Sequence, residues 1–89
     1  MVQVEFAASL RRHVECAPQW VTAGSLRSVL EAALKAAPGL AHYVFDDQRS
    51  VRKHVAVFVN RQMVLDRVNL NQQLAPDDRV LIIQALTGG

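Results

Sequence analysis

Few side chains in this 89-residue chain are placed to do chemistry, and the foremost candidates carry no side chain at all. The sequence closes on Gly88 and Gly89, directly after "VLIIQALT". A glycine pair adds nothing to a fold, because glycine loses more backbone freedom on ordering than any other residue. What the pair can supply is a carboxylate on backbone thin enough to pass close to catalytic walls. A carboxylate is a poor acyl donor until it carries a good leaving group, and making that mixed anhydride requires a closed site that excludes water. From Ala85 to Gly89 an extended segment reaches roughly 17 Å at ~3.3 Å per residue, enough to enter a neighbouring protein.

The usual catalytic types do not combine. Cys16 stands alone; it could be a redox thiol or a sulfur acceptor, but beside a strand a single cysteine reads better as a small core residue. His13, His42 and His54 are scattered, with no Cys or carboxylate partners at ligand spacing, so no metal site is expected. Asp46, Asp47, Asp77 and Asp78 form adjacent pairs in polar stretches, where solvated turn carboxylates are expected rather than an acid/base dyad. Neither a Ser/His/Asp arrangement, a phosphate-cradling glycine loop nor a dinucleotide fingerprint is present.

The bulk properties narrow the class. Eighty-nine residues suffice for one small core. An apolar fraction of 51% with 20% charged residues describes a globular protein rather than a disordered one. No apolar run is long enough to span a bilayer, and "MVQVEF" enters strand-like alternation at once, so neither membrane nor signal peptide is expected. One cysteine, and hence no internal disulfide, favours a cytoplasmic setting. The net charge is +2, but the positive residues are dispersed without aromatic interleaving, so nucleic acid is not an expected partner.

The elements that would position the terminus are legible. Val2, Val4 and Phe6 alternate with Gln3 and Glu5 as a half-buried strand. A second strand is expected around Val14 to Val21, with Pro18 placing it at a sheet edge. Leu26, Val29, Leu30, Ala33, Leu34 and Ala37 make one helical stripe, with Thr22 as the expected cap and Pro38 and Gly39 as the stop. Arg27, Glu31 and Lys35 fall on its outer side at i, i+4 spacing. "HYVFDDQRSVRKH" reads as an apolar anchor followed by a polar loop. "VAVFVN" (55–60) is a strand apolar on both faces, followed by a weaker strand near Met63 to Leu65. Leu70 and Leu74 plug a polar crossing, Pro76 and Asp77 make a turn, and "RVLIIQ" (79–84) is again apolar on both faces. With the weaker strand left out, the expected order is ββαββ, an α+β layer of one main helix against a mixed sheet.

This layout resembles the ubiquitin-like β-grasp sulfur carriers, among them the small subunit of molybdopterin synthase and the thiamine-pathway sulfur carrier. The likeness is carried by "VQVEFAASLR", "TAGSLRSVLEAAL", "VRKHVAVFVN" and "LAPDDRVLIIQALTGG" and covers nearly the whole chain. Asp77 and Arg61 stand where such chains commonly have glycine, the proline pair often found before the tail is replaced by "IIQAL", and the chain is longer than the typical thiamine carrier. The resemblance implies a β-grasp domain over 1–84 and a flexible Gly-Gly tail over 85–89. It implies that the Gly89 carboxylate, approached through Gly88, is adenylated by a ubiquitin-activating-type enzyme that supplies the ATP site. A sulfur donor would then leave a thiocarboxylate for an acceptor synthase subunit in molybdopterin, thiamine or cysteine biosynthesis. The chain itself would bind no cofactor and act as carrier rather than enzyme. The alternative is a ubiquitin-like modifier joined to lysines through Gly89.

Alternation adds an expectation about the sheet. Val57, Val59, Val80 and Ile82 are assigned to the helix side, which leaves Phe58, Leu81 and Ile83 on the other face. Left open, the three form an apolar patch that would bind a partner together with Leu86 and Thr87; covered, they lie under the early loop or the 61–74 crossing. The last strand is expected to end near Gln84, with the tail projecting and mobile.

Overall fold

A computed structural model of the chain describes residues 1–7 and 17–84. Within them the elements run β1 (Val2–Phe6), β2 (Gln19–Val21), α1 (Leu26–Leu34), α2 (Pro38–Val44), β3 (Val55–Val59), β4 (Gln62–Met63) and β5 (Arg79–Gln84). The strands form one mixed sheet in the order β2-β1-β5-β3-β4. The central pair, β1 and β5, is parallel, whereas β1–β2, β3–β4 and β3–β5 are antiparallel. A parallel pair needs a long crossover, and here everything between the first and last strands serves as one.

Helix α1 forms where the 3.6-residue stripe is strongest, and Leu26, Val29, Leu30, Ala33 and Leu34 are all buried. Its cap is Ser25, not Thr22: the Ser28 amide donates to Ser25 Oγ at 3.1 Å. Ser25 immediately precedes the first buried stripe residue, the position from which a side-chain oxygen can reach the open first turn. The polar crossing closes the rest of that turn, since the Leu26 and Arg27 amides donate to the carbonyls of Gln72 and Leu70 at 2.8 and 2.9 Å.

The C-terminal side departs from expectation. Helix α1 stops at Leu34, and the Ala36 and Ala37 amides make tightened i→i+3 bonds to Ala33 and Leu34. Pro38 then opens a second helix rather than ending the first. At the first helical position its missing N–H costs nothing and its fixed φ suits the helix. The order is therefore ββααβββ, and the stretch expected to be an anchor and loop begins as α2, which buries Leu40 and Val44. The second strand is shorter than expected: Ala17 and Pro18 lie outside it, and Val14 to Cys16 lie outside the described residues. Its edge position agrees with the sequence reading.

One core lies between the sheet and the helices, built from Val2, Val4 and Phe6 of β1, the α1 stripe, Ala37, Leu40, Val44, and Val55, Val57, Val59, Val80 and Ile82 of the later strands. Leu70 and Leu74 close one border of it, as expected of plugs. Arg27 is more than surface decoration. Its guanidinium donates to the carbonyls of Arg49 (3.0 Å) and Val68 (2.6 Å), tying two loops to α1, and lies 6.0 Å from the Phe45 ring centre. Glu31 pairs with Arg49.

Because Leu40 is fully buried on the helix that the stripe alone did not reveal, Leu40→Ala should destabilise the whole domain. The expected loss is about 2–5 kcal/mol, measured as a lower urea midpoint with unchanged slope. A loss under about 1 kcal/mol would mean that α2 packs as a dispensable flap.

Candidate functional site

The second face of the sheet is where the central strands run out of partners. Val80 and Ile82 are 1% and 0% exposed against the helices, so Leu81 and Ile83 must point the other way, where both are half-buried. Val57 and Val59 are likewise buried while Phe58 between them is half-exposed. Ala56 shares the Phe58 face and is buried.

Strand register sets these residues in three rungs. The middle rung runs Met63–Phe58–Leu81–Glu5 across β4, β3, β5 and β1. The rung toward the start of β5 holds Arg79, Gln3 and Trp20, with Asn60 bonded to Arg79 at its other end. The rung toward the end of β5 pairs Ile83 with Ala56. Phe58, Leu81 and Ile83, with Gln3, Glu5, Asn60, Arg61 and Arg79, line a groove of about 630 Å³. The three apolar residues expected on this face are thus brought together.

Trp20 and Met63, exposed by 59% and 54%, extend the face toward both sheet edges. Both were missed, though inward-facing Val21 implies an outward-facing Trp20 by alternation. The expected strand of 14–21 was too long to fix which of its residues pair with β1.

The turn bounding the groove is unusual in composition. Val59 pairs with Gln62, so Asn60 and Arg61 form a two-residue hairpin loop, with φ of 50° and 73°. Such loops favour Asn-Gly. Asn60 meets the requirement, whereas a side chain at Arg61 costs about 1–2 kcal/mol there. Asn60 also ties the hairpin to β5. Its Oδ1 accepts from the Arg79 amide (3.0 Å), its Nδ2 donates to Asp78 Oδ1 (2.8 Å), and its own amide donates to the Arg79 carbonyl (2.9 Å). The Ala75 amide donates to Asp78 Oδ2 at 2.8 Å. Asp77, by contrast, sits in its turn without a left-handed φ.

The other chemistry-bearing residues do not assemble. Asp46 Oδ1 accepts from the amides of Gln48 and Ser50, and Asp66 Oδ1 from those of Val68 and Asn69, so both brace their own turns. His42 and His54 are exposed, and no group of His, Cys, Asp or Glu suited to a metal occurs among the described residues. Among them too, no helix is long and apolar enough to cross a membrane. His13, Cys16, Leu86, Thr87, Gly88 and Gly89 lie outside the described residues.

Comparison with known proteins decides the family. The family model described as ThiS matches residues 4–89. The chain belongs to the ThiS family. It thereby falls in the ubiquitin-like sulfur carrier family that its sequence resembles, and its fold is the β-grasp. Solved structures agree on that fold. SAMP1 from Haloferax volcanii is 21% identical with a TM-score of 0.79, over 99% of this chain and 98% of that one. The Amycolatopsis orientalis BexX/CysO complex gives 18% and 0.81, over 100% of both chains. Urm1 of Sulfolobus solfataricus gives 18% and 0.69, over 92% of this chain and 97% of that one. No curated protein matches in a sequence search.

In this ThiS-family chain the Asn60 amide, then the Ala75 N–H, hold the Asp78 carboxyl below the ordinary 3.8. A pKa depressed by folding contributes stability above the unfolded value and loses it as pH falls through the folded one. Asp78→Asn should therefore melt below wild type by a constant gap well above pH 3.8, and the gap should close as pH drops below it. Melting curves across that range check this, and a gap that widens in acid would contradict it.

Proposed function

We propose that this ThiS-family chain is a sulfur carrier whose Gly89 carboxylate is activated by a ubiquitin-activating-type enzyme and converted to a thiocarboxylate. The observation that carries the reading is the family match running to residue 89, across the apolar β5 and onto the Gly88–Gly89 end of the sequence. The chemistry balances without a cofactor held by the carrier. A Gly89 carboxylate oxygen attacks the α-phosphorus of ATP, forming an acyl adenylate and releasing pyrophosphate. A hydrosulfide equivalent from the sulfur donor then attacks the acyl carbon and expels AMP, leaving –COS⁻ and releasing a proton. The enzyme supplies the ATP site and excludes water from the anhydride. The carrier supplies a side-chain-free terminus and the open face of its sheet, with Phe58, Leu81, Ile83, Leu86 and Thr87 as partner contacts. The sulfur passes to an acceptor synthase subunit in cofactor (molybdopterin, thiamine) or cysteine biosynthesis.

Intact mass tests this. The chain co-produced with its activating enzyme and a sulfur donor should gain about 16 Da as sulfur replaces oxygen. An adenylated chain that never yields that species would sink the carrier reading. Gly88→Ala or Gly89→Ala should slow adenylation on the order of 100-fold while leaving docking nearly intact, because about 1 Å of misplacement can cost that much.

The docking face separates from the core by a second measurement. Phe58→Ala or Ile83→Ala should weaken enzyme binding by about 1–3 kcal/mol with little change in melting temperature. Leu30→Ala, fully buried, should lower stability by about 2–5 kcal/mol and touch binding only through unfolding. Equal destabilisation by all three would make Phe58 and Ile83 core residues.

A second reading has its own support. The fold is also that of the small archaeal modifier protein 1 of Haloferax volcanii, and conjugation of Gly89 to lysine amines would start from the same adenylate. Blots of tagged chain under reducing conditions distinguish the two, since a pure carrier leaves no lysine-linked ladder.

A further inference from the structure

Gln84 pairs with Val55, so the last rung of β5 is also the first rung of β3. Just before that rung, Lys53 and His54 form a tight turn, closed by the Val55 amide donating to the Arg52 carbonyl at 3.0 Å. The turn is held from two sides. The Arg67 guanidinium donates to the carbonyls of Arg52 and Val55, and Arg52 Nε donates to the His42 carbonyl at 2.7 Å. Lys53 is exposed on this turn, and its amine has no ion pair or hydrogen bond among the described residues.

The amine is placed near the root of the reactive end. Strand partners lie roughly 5 Å apart, and two further residues add at most about 7 Å. The Cα atoms of Lys53 and Gln84 are therefore within roughly 9 Å of each other. Five residues lead from Gln84 to Gly89, with a contour of roughly 17 Å, and a lysine amine reaches about 6 Å from its own Cα. A segment of that length, closing on two glycines, can double back over the gap. The other amines are placed less well. Lys35 caps α1 in the helix layer. Met1 is at the opposite end of the sheet, since Gln3 pairs with Arg79, about 17 Å along the strand from Gln84.

We propose that Lys53 is a modification site whose amine accepts the activated acyl group of Gly89 in the same chain, closing the terminus into a ring. The inference rests on the functional reading above and adds a second fate for the activated terminus. Lys53 Nζ, after losing a proton to water, attacks the acyl carbon of the Gly89 adenylate. The bond from that carbon to the AMP oxygen breaks, AMP leaves with the electron pair, the second amine proton goes to solvent, and an amide remains. Held extended inside an enzyme, Gly89 is up to roughly 17 Å from Gln84, beyond the lysine, so the sulfur donor meets no competitor. Once released, the acyl group meets Lys53 at an effective concentration on the order of millimolar, as short flexible links give. The ring has no terminal carboxylate, so a closed chain is withdrawn from further activation.

The full chain carrying a Gly89 thioester, made by intein cleavage with a small thiol, tests this without an enzyme, the thiol leaving in place of AMP. A monomer about 18 Da lighter than the free acid should form, one water lost, and yield a fragment joining Lys53 to Gly89. Its rate of formation should survive about 10-fold dilution and fall at least about 10-fold in Lys53→Arg or in unfolding urea, where the two residues separate. Lys35→Arg should leave it unchanged. Hydrolysis alone, dimers in place of the ring, closure at Lys35 or Met1, or equal closure by Lys53→Arg overturns the proposal. Each leaves the carrier reading standing, because no activating enzyme takes part. With that enzyme and ATP but no sulfur donor, the same lighter species should accumulate; adenylate that turns over without it also overturns the proposal. Ring closure by the thioester beside an enzyme that forms no adenylate overturns the carrier reading and leaves Lys53 as the acceptor.

Discussion

Val80 and Ile82 are held against the helices almost without exposure, and their burial fixes the register of β5 between β1 and β3. A strand with period two cannot slide by one residue without exchanging its faces. A slip here would bring Leu81 and Ile83 into the core and turn Val80 and Ile82 out, with neither set fitting its new neighbours. Parallel pairing to β1 and antiparallel pairing to β3 hold β5 from both sides. The direction in which β5 runs and the identity of the residues on the open face are therefore set by the same buried pair.

That constraint explains what was legible in the sequence. The face of each apolar strand could be read because alternation is strict and the core tolerates only one phase. Leu26 to Leu34 could be read because a helical stripe of that length has no strand equivalent. Helix α2 could not, because its seven residues bury only Leu40 and Val44, too few to show a period. Pro38 misled for a physical reason: the same missing N–H that ends one helix suits the first turn of another. Ser25 was passed over for Thr22 because both residue types cap helices; the choice depends on where the first turn meets the Gln72 and Leu70 carbonyls, a long-range contact.

The candidate site divides along the same line. Phe58, Leu81 and Ile83 were legible because they lie on the strands with the strongest alternation. Trp20, Met63 and Arg61 were not, because what places them is pairing between distant segments and the hairpin of Asn60 and Arg61. Arg61 is where local preference and observed structure disagree most: a two-residue loop of this kind favours glycine and carries an arginine. Such disagreements are expected where a residue serves something other than the fold.

A terminus built of glycine suits chemistry and is unfit for recognition. Gly88 and Gly89 have no side chains with which to distinguish one closed site from another, and backbone alone is common to every chain that ends the same way. On the proposed function, what discriminates among partners must come from residues that carry side chains, Leu86 and Thr87 before the glycines and the surface of the folded domain. The apolar stripe of the helix side is spent in the core. The open face remains, with apolar side chains at its centre, aromatic and thioether groups toward its edges, and two guanidinium groups at the end away from the tail. On the proposed function, reactivity at Gly89 and selectivity on the sheet are separable properties of one chain, joined through the register of a single strand.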